Sequence, residues 1–228
     1  MKMKIDMHVH SEYSIDGLSS PKELLENAKA KGIGFAITEH NNTDSWDRFR
    51  ELNRQFNVPL IFGEEKKLYI EGKLVGEILF YFLQEPVVSK NLFEAIDEGK
   101  KQGAILSVAH PFDFLRKPVW FGFKKLEEVK TKVDAIEAFN ARIYFQGLNK
   151  KAEKFALQNN LALTAGSDAH TPKELGNALA VAEAGSLEEF RNCLKKRQTR
   201  VEGRLAGFFV HLPSTLKQFG IIKVKKEA

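Results

Sequence analysis

The chain has 228 residues, 43% hydrophobic and 29% charged, which fits one large folded domain and excludes a disordered chain or a small disulfide-stapled module. No apolar run reaches the roughly 18 residues of a membrane span, and the opening MKMKID leads into a patterned strand without a secretory-type hydrophobic segment, so a cytoplasmic address and no membrane partner are expected. The net charge of +5 admits phosphate-bearing partners without singling out nucleic acid, because part of the excess sits in CLKKRQTR and IIKVKKEA, runs that read as solvated surface.

The first predicted element, a strand over 4–9, alternates Ile5, Met7 and Val9 with Asp6, His8 and then His10. A strand sends alternate side chains to opposite faces, so one face is apolar and the other is metal-ligand or acid/base chemistry. SSPKELLENAKAKG then spells a helix, with Ser20 as N-cap, Pro21 at the first helical position, Glu23 completing a capping box and Gly32 as terminator. Strand-like runs follow at 33–38, 58–62, 104–109, 134–139, 161–165 and 178–182, alternating with amphipathic stretches at about 44–56, 91–102, 123–131, 147–160 and 186–197. The alternation is interrupted at KKLYIEGKLVGEILFYFL, where a turn around Glu71-Gly72-Lys73 joins two strand-like runs. The single cysteine, Cys193, falls beside Phe190 and Leu194 on an apolar helix face and reads as a small core residue. Seven strands are enough to close an α/β barrel, so residues 1–228 read as one domain, with 203–228 as a covering element.

Five of the six histidines fall in DMHVH, TEHN, VAHP and GSDAH, each at or just after a predicted strand. A (β/α) barrel builds its active site at that rim, from the ends of several strands, so the pattern points to one shared site. Imidazoles mixed with carboxylates suit Zn, Mn or Fe, and bridging carboxylates allow more than one ion. His8 and His10 lie about 7 Å apart by strand rise, and Asp168 with His170 repeats the spacing. His40, His110, Glu65 and Asp16 join them as candidate ligands, although His110 before Pro111, the Glu64–Glu65 pair and Asp16 before Gly17 each have a plain structural reading when taken singly. His211 fits no motif and reads as structural.

DMHVHSEYSIDG, ITEHNN, FGEE, AHPF and AGSDAHTPKELG, in this order over roughly residues 5 to 180, resemble the polymerase and histidinol phosphatase (PHP) superfamily. The resemblance implies a distorted, seven-stranded (β/α)7 TIM-like barrel with two to three divalent ions at the strand C-terminal rim. It implies that His8, His10, Glu65 and Asp168 hold one ion, that Glu65 bridges to a second that also takes His110, and that Asp16, His40 and His170 hold a third. Two departures stand out. Glu77 occupies the place of a usual histidine ligand, where it either ligates and shifts preference toward harder ions or points away and leaves that metal weakly held, and Thr38-Glu39-His40 replaces the usual Thr-Asp-His.

The implied activity is metal-dependent hydrolysis of phosphate esters, a phosphorylated small molecule or nucleotide, by a metal-bridged hydroxide attacking phosphorus. Cationic side chains are then needed for the phosphate, and Arg142 and Lys66 are the candidates beside Glu65; Glu137 and Asn140 are candidate pocket residues. Rival readings are a short-oligonucleotide exonuclease, a non-catalytic metal-stabilised subunit of a nucleic-acid complex, and a metal-dependent amidohydrolase. The stretch FLRKPVWFGFKK, with Arg116, Lys117, Trp120, Phe121 and Phe123, interleaves basic and aromatic residues as single-strand binding requires, but it reads first as a loop packing its aromatics over the barrel mouth.

Overall fold

Ser20 opens the first helix as its sequence predicts. Its side chain accepts from the Glu23 amide, the Glu23 carboxylate accepts from the Ser20 amide, and Gly32 ends the helix in the left-handed region at φ 62°. A computed structural model describes residues 1–115, 123–207 and 209–222. Its elements are β1 (Lys2–Val9), α1 (Pro21–Lys31), β2 (Gly34–His40), α2 (Trp46–Phe56), β3 (Leu60–Ile70), β4 (Lys73–Tyr81), α3 (Leu92–Lys101) and β5 (Ile105–Val108). There follow α4 (Leu126–Val129), β6 (Ala135–Asn140), α5 (Gln146–Gln158), β7 (Ala162–Gly166), β8 (Ala178–Glu183), α6 (Leu187–Lys195), β9 (Arg200–Gly203) and α7 (His211–Gln218). Among the described residues no helix is long and apolar enough to cross a membrane. Arg116, Lys117, Trp120 and Phe121 lie outside the described residues.

The strands form one nearly closed nine-stranded sheet in the order β7-β6-β5-β4-β3-β2-β1-β8-β9. The fold is α/β and barrel-like as expected, but the count of seven is corrected to nine. One reason is β3, which does not stop near residue 62. It runs on through Ile70, turns at Glu71 and Gly72, both at positive φ, and returns antiparallel as β4, which pairs in turn with β5. The other is β9, whose RVEG has no apolar alternation to announce it but pairs antiparallel with β8.

The closure has a particular form. The first half of β1, Lys2–Ile5, pairs antiparallel with β8, whereas its far end meets the chain just after β7: Val9 bridges Ala169, the His10 amide donates to the Ala169 carbonyl at 2.9 Å and the Ala169 amide to that of His8 at 3.3 Å. The sheet therefore closes on itself at the C-terminal rim, where the histidines lie. At Gly166 a Cβ would sit 2.1 Å from the His8 Cβ, so only glycine permits this approach.

Two apolar layers support the sheet. The larger joins Leu24, Phe35, Phe49, Phe80, Leu106 and Ile136 with the helices α1, α2 and α5. The smaller gathers Ile5, Met7, Ile61, Leu79 and Tyr81 with Phe190 and Leu194 of α6, and half-buried Cys193 packs against it as its helical spacing predicts.

Candidate metal centre

Each rim histidine arrives at the end of its strand, and the side chains converge. Glu65 of β3 is the hub: its Oε2 lies 3.3 Å from His8 Nε2, 3.5 Å from His10 Nε2 and 2.8 Å from His40 Nδ1, while its Oε1 lies 3.1 Å from His110 Nε2. The parallel register of β2 and β3 sets His40 directly beside Glu65. Asp168 Oδ1 approaches His10 Nε2 at 3.4 Å, Asp16 Oδ1 stands 3.3 Å from both His40 Nε2 and His170 Nε2, and Glu77 Oε2 lies 3.5 Å from His110 Nε2. Three sets of donor atoms fall within 4.8 Å of one another: His8, His10 and Glu65; His10, His40 and His170; His40, Glu65 and Glu77. The structure thus brings together every metal candidate of the sequence, Glu77 included.

His8 Nε2, His10 Nε2, Asp16 Oδ1, His40 Nδ1 and Glu65 Oε2 are buried and make no hydrogen bond, although neighbours lie within 2.8–3.5 Å. Buried polar atoms that crowd without hydrogen-bonding geometry need another partner, and imidazole nitrogens facing carboxylate oxygens fit divalent ions. Electrostatics agree. Burial acts against the His8 and His40 imidazolium forms, but the carboxylates together outweigh it, Glu65 foremost, with Glu137 and Asp168 at His8 and Asp16 at His40, and both pKa values stand well above the usual histidine value. His10 is pushed well below, by burial and then by His40 and His170. Burial would raise Glu65 and Asp16, but the surrounding imidazoles hold both below the ordinary carboxylate range. Two candidate ligands also sit on backbone at positive φ, Asp168 at 54° and His110 at 27°.

The PHP domain model matches residues 6–203, which contain this whole constellation. The chain belongs to the PHP domain family. An uncharacterized protein of Methanocaldococcus jannaschii is 36% identical over 205 residues, spanning 85% of this chain and 79% of its own. An error-prone DNA polymerase of Mycobacterium tuberculosis is 38% identical over 65 residues, 28% of this chain and 6% of the polymerase. Among solved structures, a two-domain protein from Bacteroides vulgatus containing a predicted PHP-like metal-dependent phosphoesterase superposes with a TM-score of 0.74 at 25% identity, over 95% of this chain and 70% of its own.

Behind the inward atoms of this PHP domain stands a shell of buried polar groups. Glu137 of β6 holds His8 Nδ1 at 2.8 Å and accepts from the His110 amide at 2.7 Å, and Asn140 links Glu137 to Asp168 at 3.1 and 3.3 Å. Glu39, the departure from Thr-Asp-His, accepts from Ser11 Oγ and Ser14 Oγ and so shapes the Asp16 loop. Asp6, pushed up to about 6 by burial, accepts from Ser167 and from the Gly176 amide.

The two cations expected near phosphate are placed differently. Lys66 points to the opposite strand face from Glu65, where its ammonium bonds Glu64 at 3.1 Å and the Val87 carbonyl; it does not reach the cluster. Strand alternation gives the face of Glu65 to Lys67, which lines a cavity of ≈ 480 Å³ over the site together with Asp16, His40, Glu77 and His170. Arg142 also reaches this cavity, but its guanidinium is engaged by the Asp168 carbonyl at 3.3 Å, the Val210 carbonyl at 3.2 Å and Ser214 Oγ at 2.7 Å. His211, read as structural from sequence, stands in the cavity wall with Nε2 3.0 Å from the Arg142 carbonyl.

Proposed function

We propose that this PHP domain is a metal-dependent phosphoesterase that hydrolyses phosphomonoesters of small molecules or nucleotides, using two to three Mn, Fe or Zn ions. The observation that carries the reading is the set of orphaned, inward-facing imidazole and carboxylate atoms beneath an open cavity. His8, His10, Glu65 and Asp168 would hold one ion; Glu65, His110 and Glu77 a second; Asp16, His40 and His170 a third. Divalent ions in such a site supply an activated water at neutral pH and neutralise the charge on phosphate oxygens. Glu137 fixes the His8 tautomer so that Nε2 faces the ions, and Asn140 steadies Asp168. Lys67, whose ammonium stands 4.0 Å from Glu77 and is partly exposed to the cavity, takes the phosphate-binding role expected of Lys66. Arg142 serves as a positioning residue, since its Nη1 donates to the Asp168 carbonyl and its Nη2 to the Val210 carbonyl and Ser214.

Exposed Phe114 and Phe145 stack at 6.4 Å, each next in the chain to a cavity-lining residue, Leu115 and Tyr144, and this favours an ester with a planar base within the proposed substrate class. We treat residues 1–228 as one cytoplasmic domain. The test is metal content of the purified protein together with phosphate release from p-nitrophenyl phosphate, histidinol phosphate, 3′-phosphonucleotides and short oligonucleotides. Bound ions, with turnover lost in His8→Ala, are expected; ions without turnover of any ester would leave the non-catalytic subunit reading.

A further inference from the structure

Asp16 reaches the cluster from a loop between β1 and α1 that contains no regular structure. Within it the Glu12 amide donates to the Ser19 carbonyl at 2.8 Å and the Ser14 amide to the Ser11 carbonyl at 3.0 Å, while Leu18 donates to the His170 carbonyl at 2.6 Å and Ser11 and Ser14 to the Glu39 carboxylate. The loop doubles back so tightly that a Cβ on Gly17 would lie 2.0 Å from the Ser11 carbonyl oxygen. Three of its carbonyls are then gathered by one ammonium. Lys217 Nζ, from α7 and 200 residues further along the chain, donates to Glu12 O at 3.2 Å, Ser14 O at 3.0 Å and Gly17 O.

The helix that carries this lysine is not a core element. Ser214 is its buried residue, Leu212 is exposed, and its N-terminus has no side-chain cap. Cations hold it at both ends: Lys217 ties one end to the Asp16 loop, and Arg142 ties Ser214 and Val210 to the Asp168 carbonyl. The two segments so joined are those that bring Asp16 and His170 to His40.

We propose that Lys217 is a positioning residue for the Asp16, His40 and His170 cluster: its ammonium fixes the backbone of the Asp16 loop, so that the carboxylate is in place before an ion arrives, and α7 thereby acts as a strap across the third-ion position. The proposal rests on the metal reading of that cluster.

The experiment compares wild type, Lys217→Met and Lys217→Arg in two measurements. In metal-free protein, amide hydrogen exchange at Glu12, Ser14 and Leu18 is expected to quicken by about tenfold or more in Lys217→Met, with strand amides unchanged and Lys217→Arg largely restored. In Mn titration, Lys217→Met is expected to weaken by about tenfold or more the same ion that Asp16→Ala loses, leaving the others as in wild type. Unchanged exchange and binding in Lys217→Met, or a uniform loss across all amides and all ions, would overturn the positioning role. Wild type that holds no ion at the Asp16 cluster would overturn it too. Three bound ions without phosphate release would instead remove the phosphoesterase reading alone, and the exchange and titration results would still decide for or against the strap.

Discussion

His8 is gripped from behind by Glu137, whose Oε1 lies 2.8 Å from His8 Nδ1 and leaves Nε2 turned toward Glu65 at 3.3 Å. Replacing Glu137 by Gln removes the charge that favours this tautomer and weakens the seat of the His110 amide as well. Metal affinity is expected to fall by about 10–100-fold with the fold retained. Titration with Mn alongside a thermal melt checks this; unaltered affinity would deny Glu137 its role.

Proton competition gives the site a pH dependence of definite sign. His8 and His40 have folded pKa values well above normal, where burial is overcome by Glu65 and the other carboxylates. In metal-free protein their contribution to stability is therefore full below about pH 6.5 and is lost as pH rises through the raised folded values. Ions must displace those protons, so affinity is expected to increase with pH and binding near neutrality to release protons. Calorimetry in buffers of different ionisation heat measures the release; a pH-independent affinity between pH values of about 6 and 8 would contradict the arrangement.

Lys66 and Lys67, adjacent in sequence, are expected to fail in different ways. Lys67→Met should raise KM for a phosphate ester with little change in melting temperature, because the side chain borders the cavity and is partly exposed. Lys66→Met leaves Glu64 buried without its ammonium partner and should lower stability by about 3–5 kcal/mol. Denaturant melts and steady-state kinetics on both variants separate the two; the reverse assignment would restore Lys66 as the phosphate-binding residue.

Gly166→Ala places a methyl group against the His8 backbone and side chain, where neither neighbour is a flexible tip. Overpacking of this kind costs about 1–3 kcal/mol or more. Loss of stability accompanied by weaker ion binding is expected, since the same contact closes the sheet and seats His8. A variant with normal ion binding would show that the seam and the site are independent.

The parts of this fold that were legible in sequence are those encoded locally. Ser20, Pro21, Glu23 and Gly32 specify α1 within one short segment, and the alternation in DMHVH places two candidate ligands on one strand face. What escaped depends on strand continuity or on distant contacts. Glu64 to Lys67 look like a polar strand ending, but they are the middle of β3, with Glu64, Glu65 and Lys66 buried, and once the strand is continued its alternation places Lys67 rather than Lys66 on the face of Glu65. The clamped state of Arg142 and the place of His211 in the cavity wall depend on α7, and no residue near Arg142 in sequence hints at that partner.

The divided edge of β1 bears on the order of assembly. Asp6 and Ser167 meet across 161 residues of chain, and His8 and His10 find Asp168 only where that loop closes. Loop-closure entropy grows as the logarithm of the span, and must be met before the contacts it permits can repay it. A chain made from its N-terminus displays His8 and His10 long before Asp168 and His170 exist, so early ion capture by the nascent strand would involve an incomplete ligand set. On the metal reading, loading would follow ring closure and the ions would act as a late fastener: by mass action, binding to the closed form alone would draw the population of sheets with an open seam toward zero.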